Sequence, residues 1–115
     1  FKTVKSDLPN THSGKLGTPR WKPERLPPGF TLINHRYVSG DDGDYEHLVY
    51  SDGLAAVSVY VESLGGEGIH PELTQKHGTT YAYTRASGGM MVTVVGNVPA
   101  ATVEMIGQSV EADSR

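Results

Sequence analysis

YEHLVYSDGLAAVSVYVE, residues 45–62, is two alternating runs joined by a turn signal. Asp52-Gly53 is a favoured pair for a two-residue hairpin turn, because both central positions need positive φ. That turn predicts a register in which Ser51 faces Leu54, Val49 faces Ala56, His47 faces Ser58 and Tyr45 faces Tyr60. One face then carries Leu48, Tyr50, Ala55, Val57, Val59 and Val61, an apolar set that belongs to a core. A slip of one residue would turn the whole set outward. The opposite face, with His47, Val49, Ala56, Ser58, Tyr60 and Glu62, is mixed and suits water or a partner.

Outward from this hairpin, the chain reads as short strands separated by turns. Residues 1–20 are rich in Lys, Ser, Thr, Gly and Pro without an apolar pattern, as in a linker or the tail of a preceding domain. Trp21 to Phe30 (WKPERLPPGF) holds three prolines that impose an extended path. Trp21, Leu26 and Phe30 would be pinned on the core in turn, like a strap. Phe30 to Val38 predicts a strand with Phe30, Leu32 and Asn34 on one face, and Ser39 to Asp44 a loop. Gly65 to Gly78 reads as a loop over the sheet. Thr79 to Ala86 (TTYAYTRA) alternates as a strand, and Met90 to Val95 (MMVTVV) is apolar on both faces. Pro99 suits a first helical turn. From Ala100 to about Ala112, Val103, Ile106, Gly107 and Val110 form one helical stripe. The expected fold is α+β: an antiparallel sheet of about five strands with one C-terminal helix packed on one face. Residues 21–115 form one small domain.

Composition narrows the function. The net charge is −3 and the basic residues do not cluster, so nothing recommends a nucleic-acid partner. The absence of cysteine excludes a disulfide framework and any thiolate ligand or nucleophile. No apolar run is long enough to span a membrane. No signal peptide pattern is present and the first residue is Phe1, so the chain reads as a fragment or a processed product.

The chemistry-bearing residues form no catalytic or cofactor motif. Asp41-Asp42-Gly43-Asp44 lacks the full spacing of a calcium loop and reads as a solvated turn. The five histidines (His12, His35, His47, His70, His77) form no HxH or HExxH pair, so no metal site is assigned. Ser51 beside Asp52 lies in a turn, not in a nucleophile elbow. Gly65-Gly66-Glu67-Gly68 has no helix start after it to cradle a phosphate. Tyr60, Tyr81 and Tyr83, with Arg85 close by, are residue types enriched at interfaces. Ordinary sheet packing with hydroxyls in water is the simpler account of the tyrosines. His47, on the mixed face with Tyr60, completes a candidate partner-binding set of His47, Tyr60, Tyr81, Tyr83 and Arg85. No cofactor is called for, and a binding module is favoured over an enzyme. The alternatives are a lipid- or glycolipid-binding crevice between sheet and helix, and a small hydrolase using Asp or His.

Three segments together carry a family resemblance: Trp21 to Phe30 (W…LPPGF), Val49 to Glu62 (VYSDGLAAVSVYVE) and Gly78 to Val110 (GTTYAYTR…VTVVGNVPAATVEMIGQSV). In combination they resemble the C-terminal domain of the MucB/RseB family, periplasmic negative regulators of the sigma-E (AlgU-type) envelope stress response. The resemblance implies a non-enzymatic periplasmic domain that helps bind the periplasmic part of an anti-sigma factor of the RseA/MucA type. Bound there, such proteins shield the anti-sigma factor from regulated proteolysis. It implies a larger preceding domain, similar to lipoprotein carriers, through which lipid or lipopolysaccharide acts as the releasing signal. Residues 1–20 would be the linker to it. The resemblance does not extend to Glu67 to His77, and it assigns no residue roles.

Overall fold

Leu48, Tyr50, Val57, Val59 and Val61 all turn inward in the computed structural model, as their alternation requires. The structure describes residues 19–40, 43–63, 72–87 and 89–112. The elements are β1 (Trp21–Pro23), β2 (Thr31–Gly40), β3 (Gly43–Ser51), β4 (Ala56–Ser63), β5 (Leu73–His77), β6 (Thr80–Ser87), β7 (Met90–Gly96), α1 (Ala100–Gln108) and β8 (Val110–Ala112). Six strands form one antiparallel sheet in the order β2-β3-β4-β7-β6-β5, and β1 pairs with β8 in a separate two-stranded ribbon. The linker assigned to residues 1–20 lies outside the described residues, except for Pro19 and Arg20.

The α+β class holds, with six strands in the sheet where about five were expected. The added strand is β5, inside the stretch expected to be a loop. Its sequence, LTQKH, carries no apolar alternation, because only Thr74 is half-buried. An edge strand is held by its backbone ladder to β6, which leaves side-chain pattern free.

The central hairpin has the expected faces but a different register. Ser51 pairs with Ala56, and His47 with Tyr60. The connection is a four-residue loop, because Asp52 acts on its own backbone. Its Oδ1 accepts from the amides of Leu54 and Ala55, both at 2.9 Å. Ser51 Oγ donates to the Ala55 carbonyl and accepts from the Gly53 amide, and Gly53 takes φ +97°. The shift is two residues, so every side chain keeps its face and only Ala55 leaves the core set.

β2 departs from the expected pattern at a bulge between Leu32 and Asn34. The extra residue reverses the alternation beyond it. Ile33 is left exposed and Asn34 faces away from the core. His35 instead lies beside Leu48 on the inner face. The expected loop at Ser39 to Asp44 is mostly strand, since β2 runs to Gly40 and β3 begins at Gly43. Tyr37 Oη and Ser39 Oγ donate to the Asp44 carboxylate (3.1 and 2.9 Å) and tie the two strands.

Trp21, Leu26 and Phe30 pack against the core as a strap, as their spacing suggested. α1 lies across β6 and β7, with Val103, Ile106 and Gly107 facing the sheet. It ends at Gln108, four residues before the expected end. Arg85 draws the terminal carbonyls away: its Nε donates to the Gly107 carbonyl (2.8 Å) and one terminal nitrogen to that of Val110 (3.0 Å). Ser109 Oγ donates to the Ile106 carbonyl and accepts from the Arg25 amide. Val110 is thereby released into β8, still buried.

Two inward tyrosines make the fold sensitive to alkali. Burial, then the Glu46 charge, pushes the Tyr50 hydroxyl up to about 12 from 10.0. Burial and the hydrogen bond that Tyr83 donates to Glu72 push Tyr83 up to about 12 from 10.0. The raised values mean that the native state holds these protons more tightly than the unfolded chain. Their contribution is full below pH 10 and is lost as pH rises through 12. Thermal midpoints should therefore be level at mildly alkaline pH and fall between pH 10 and 12. Equal midpoints at both ends of that window would rule out this coupling.

Candidate partner-binding face

The register of the six strands sets whole rows of side chains across the sheet. One outer row runs Arg36, His47, Tyr60, Thr93, Thr84 and Leu73, one residue from each strand. A second runs Asn34, Val49, Ser58, Val95, Ala82 and Gln75. α1 and the β1–β8 ribbon lie on the other face, so no described element covers these rows. His47, Val49, Tyr60, Thr93 and Val95 are each half-buried.

His47 and Tyr60 sit directly opposite each other, and their rings stack at 4.3 Å with 2° between planes. β-strand pairing places the Cβ atoms close enough for such a pair, which makes one rigid aromatic platform in the middle of the face. Burial, then the positive charge of Arg36, lowers the His47 pKa below its ordinary value. The ring is therefore neutral at neutral pH. Its Nε2 is shielded from solvent and has no hydrogen-bond partner among the described residues. A stacked aromatic pair on a mixed polar and apolar face can meet a partner's side chain with both its rings and its polar neighbours.

The five candidates do not share this face. Tyr81, Tyr83 and Arg85 pair with Gly96, Val94 and Val92, which puts them on the helix side. Tyr83 is 1% exposed beneath α1. Arg85 spends its donors on the carbonyls at the helix end. Tyr81 packs at the margin of the core, with Lys76 Nζ 5.8 Å from its ring centre. In TTYAYTRA both alternating sets are polar enough to face water, so only pairing with β7 assigns them.

Glu46, which the sequence suggested only as a neighbour of the acidic loop, is a buried acceptor instead. It is 2% exposed, on the same inner face as Leu48 and Tyr50. It accepts from the amides of Arg20 (3.1 and 2.9 Å) and Trp21 (3.0 Å), and from His35 Nε2 (2.7 Å). Strict alternation in EHLVY carried the signal, since it places a carboxylate in line with the core. Among the described residues no group of three or more His, Asp or Glu side chains stands together as a metal site. Asp41 and Asp42 lie outside the described residues.

Comparison with known proteins places this arrangement. Residues 15–111 match the family model of the MucB/RseB C-terminal domain. The sigma factor AlgU regulatory protein MucB of Pseudomonas aeruginosa is 37% identical over 102 residues, covering 84% of this chain and 32% of that protein. The sigma-E factor regulatory protein RseB of Haemophilus influenzae is 32% identical over 91 residues, covering 79% of this chain and 29% of that protein. A crystal structure of MucB in complex with MucA(peri) superposes with a TM-score of 0.75 at 32% identity, over 86% of this chain and 38% of that one. The chain belongs to the MucB/RseB C-terminal domain family. It spans about a third of the length of these relatives. Among the described residues no helix is long and apolar enough to cross a membrane.

Proposed function

We propose that this chain is a non-enzymatic periplasmic regulatory domain that helps hold the periplasmic part of a MucA/RseA-type anti-sigma factor. Holding it restrains the sigma-E response by keeping the anti-sigma factor from regulated proteolysis. The observation that carries this reading is the backbone likeness, at 32% identity, to MucB captured with MucA(peri). Residues 1–20 serve as the linker to a preceding domain, in keeping with the greater length of the relatives, and lipid or lipopolysaccharide acts through that domain. A lipid crevice within this one gains no support, because Tyr83, Val94, Val103 and Ile106 occupy the space between α1 and the sheet.

Within this reading the outer row centred on His47 and Tyr60 is the contact surface, and Tyr83 and Arg85 support it from beneath. The experiment is calorimetric titration of the full-length parent, and of this chain, with the anti-sigma factor's periplasmic segment. Binding by the parent is expected. His47→Ala and Tyr60→Ala should each weaken it by about tenfold, since aromatic contacts at the centre of an interface carry ~1–2 kcal/mol or more. A folded parent that does not bind rejects the function. Unchanged affinity in both variants rejects the surface and leaves the function standing.

A further inference from the structure

The carboxylate of Glu46 does not help the core. It sits at the end of the apolar row of β3, 2% exposed, where a leucine or methionine would fill the same space. A buried charge replaced together with its partners by apolar side chains often costs no stability, so packing alone does not call for a carboxylate here, although removing it alone leaves its donors unpaired. Among the described residues its backbone donors are two successive amides, that of Arg20 and that of Trp21, the second belonging to the Arg20–Trp21 peptide bond. His35 buttresses it from β2, with its own side chain 8% exposed and its Nε2 2.7 Å from Glu46 Oε2.

The segment after that peptide bond needs no such help. Trp21 to Pro23 pairs with β8, the Glu24 amide donates to the Ser109 carbonyl, and the Arg25 amide donates to Ser109 Oγ. The segment before it is different. Arg20 is exposed, and its guanidinium rests 4.0 Å over the ring of Tyr37, itself 38% exposed. A cation–π contact at such a site is weak. The Glu46 carboxylate is thus the strongest described hold on the chain where it enters the domain.

We infer that Glu46, braced by His35, is a positioning residue that clamps the Arg20–Trp21 peptide and so sets the direction in which the preceding chain joins the sheet. A charged acceptor suits this task because it takes several N–H donors at once with strict geometry. An apolar side chain would fill the volume and leave two amides of the entry without partners.

Trypsin reads the clamp directly, because the clamped bond follows an arginine. Arg25–Leu26, a few residues on and held by Ser109, is an internal reference in the same strap. The 115-residue chain is digested briefly under native conditions, and fragments beginning at Trp21 and Leu26 are quantified by mass spectrometry. Glu46→Leu should fold with a lowered thermal midpoint, since His35 and two amides lose their acceptor, while cleavage after Arg20 rises about tenfold or more, as expected when local opening no longer breaks charged hydrogen bonds. Cleavage after Arg25 should stay as it was. A wild-type rate after Arg20 in the folded variant overturns the proposal. An equal rise after Arg25 overturns it too, since that marks loosening of the whole strap. If Glu46→Leu fails to fold, Glu46→Gln decides: it keeps the volume and one acceptor oxygen. A selective rise after Arg20 supports the clamp, and no rise overturns it.

Discussion

Gly107→Ala is expected to destabilise this domain by about 3 kcal/mol, although alanine is the better helix former. A Cβ at position 107 would lie 2.3 Å from Cδ2 and 2.6 Å from Cε2 of Tyr83, and 3.2 Å from Cγ2 of Val94. The ring cannot move aside easily. It is buried, and its hydroxyl donates to Glu72, which also accepts from Gln108 at the helix end. Helix propensity returns ~1 kcal/mol, and overpacking against a buried, held ring at this short distance removes ~4 kcal/mol, beyond the usual ~1–3 kcal/mol. For a domain of this size a 3 kcal/mol loss lowers the thermal midpoint by roughly 15 °C. Circular dichroism melts would show it. Tyr83→Leu in the same chain should recover part of the loss, with a coupling of about 1 kcal/mol or more in the double-mutant cycle. A midpoint within a few degrees of the wild type would mean that α1 does not lie this close to β6.

Arg85→Ala should be nearly as damaging, by about 2 kcal/mol. Arg85 joins β6 to the carbonyls of Gly107 and Val110, and more distantly to that of Gln108 (3.4 Å). Hydrogen bonds from a charged donor contribute ~1.5–3 kcal/mol, and two buried carbonyls would be left unpaired. The damage should spread to the ribbon, because the same turn carries Ser109, which holds the Arg25 and Glu24 amides. Urea unfolding gives the magnitude, and amide exchange at Glu24, Arg25 and Val110 gives the location. Arg85→Lys should restore less than half, since an ammonium cannot match the guanidinium fork. Exchange that rises evenly over the whole domain, with none concentrated at the ribbon, would argue against the link.

These two positions also show where sequence reading stops. Gly107 was placed on the apolar stripe of the helix from its spacing, and its close packing followed from having no side chain. Its partner was not legible, because nothing in TTYAYTRA says which alternate set faces inward. Arg85 looked like an interface residue for the same reason. Arginine on a core-facing position is rare unless paired. Here the unpaired carbonyls of a helix end, a feature of tertiary structure, are what it pairs with.

The candidate site divides in the same way. His47 and Tyr60 were read correctly as members of the mixed face, because the parity of that hairpin survives a shift of two residues. That they stack was not legible, since the sequence predicted Ser58 opposite His47. The difference lies in one side chain: Asp52 uses its own carboxylate to widen the turn. Asn34 and His35 exchanged faces through the bulge at Ile33, which no local pattern marks.

Alternation and helical spacing by themselves determined the class of fold, the inward set of the central hairpin and the helix stripe. Each of these follows from a period of two or 3.6 meeting one hydrophobic core, which is a local property of the chain. Only the tertiary structure decided the sixth strand, the early end of α1, the parity of β6 and the task of Glu46. Each of those depends on hydrogen-bond partners far away in sequence, and a buried donor or acceptor takes whichever partner the packing brings within reach.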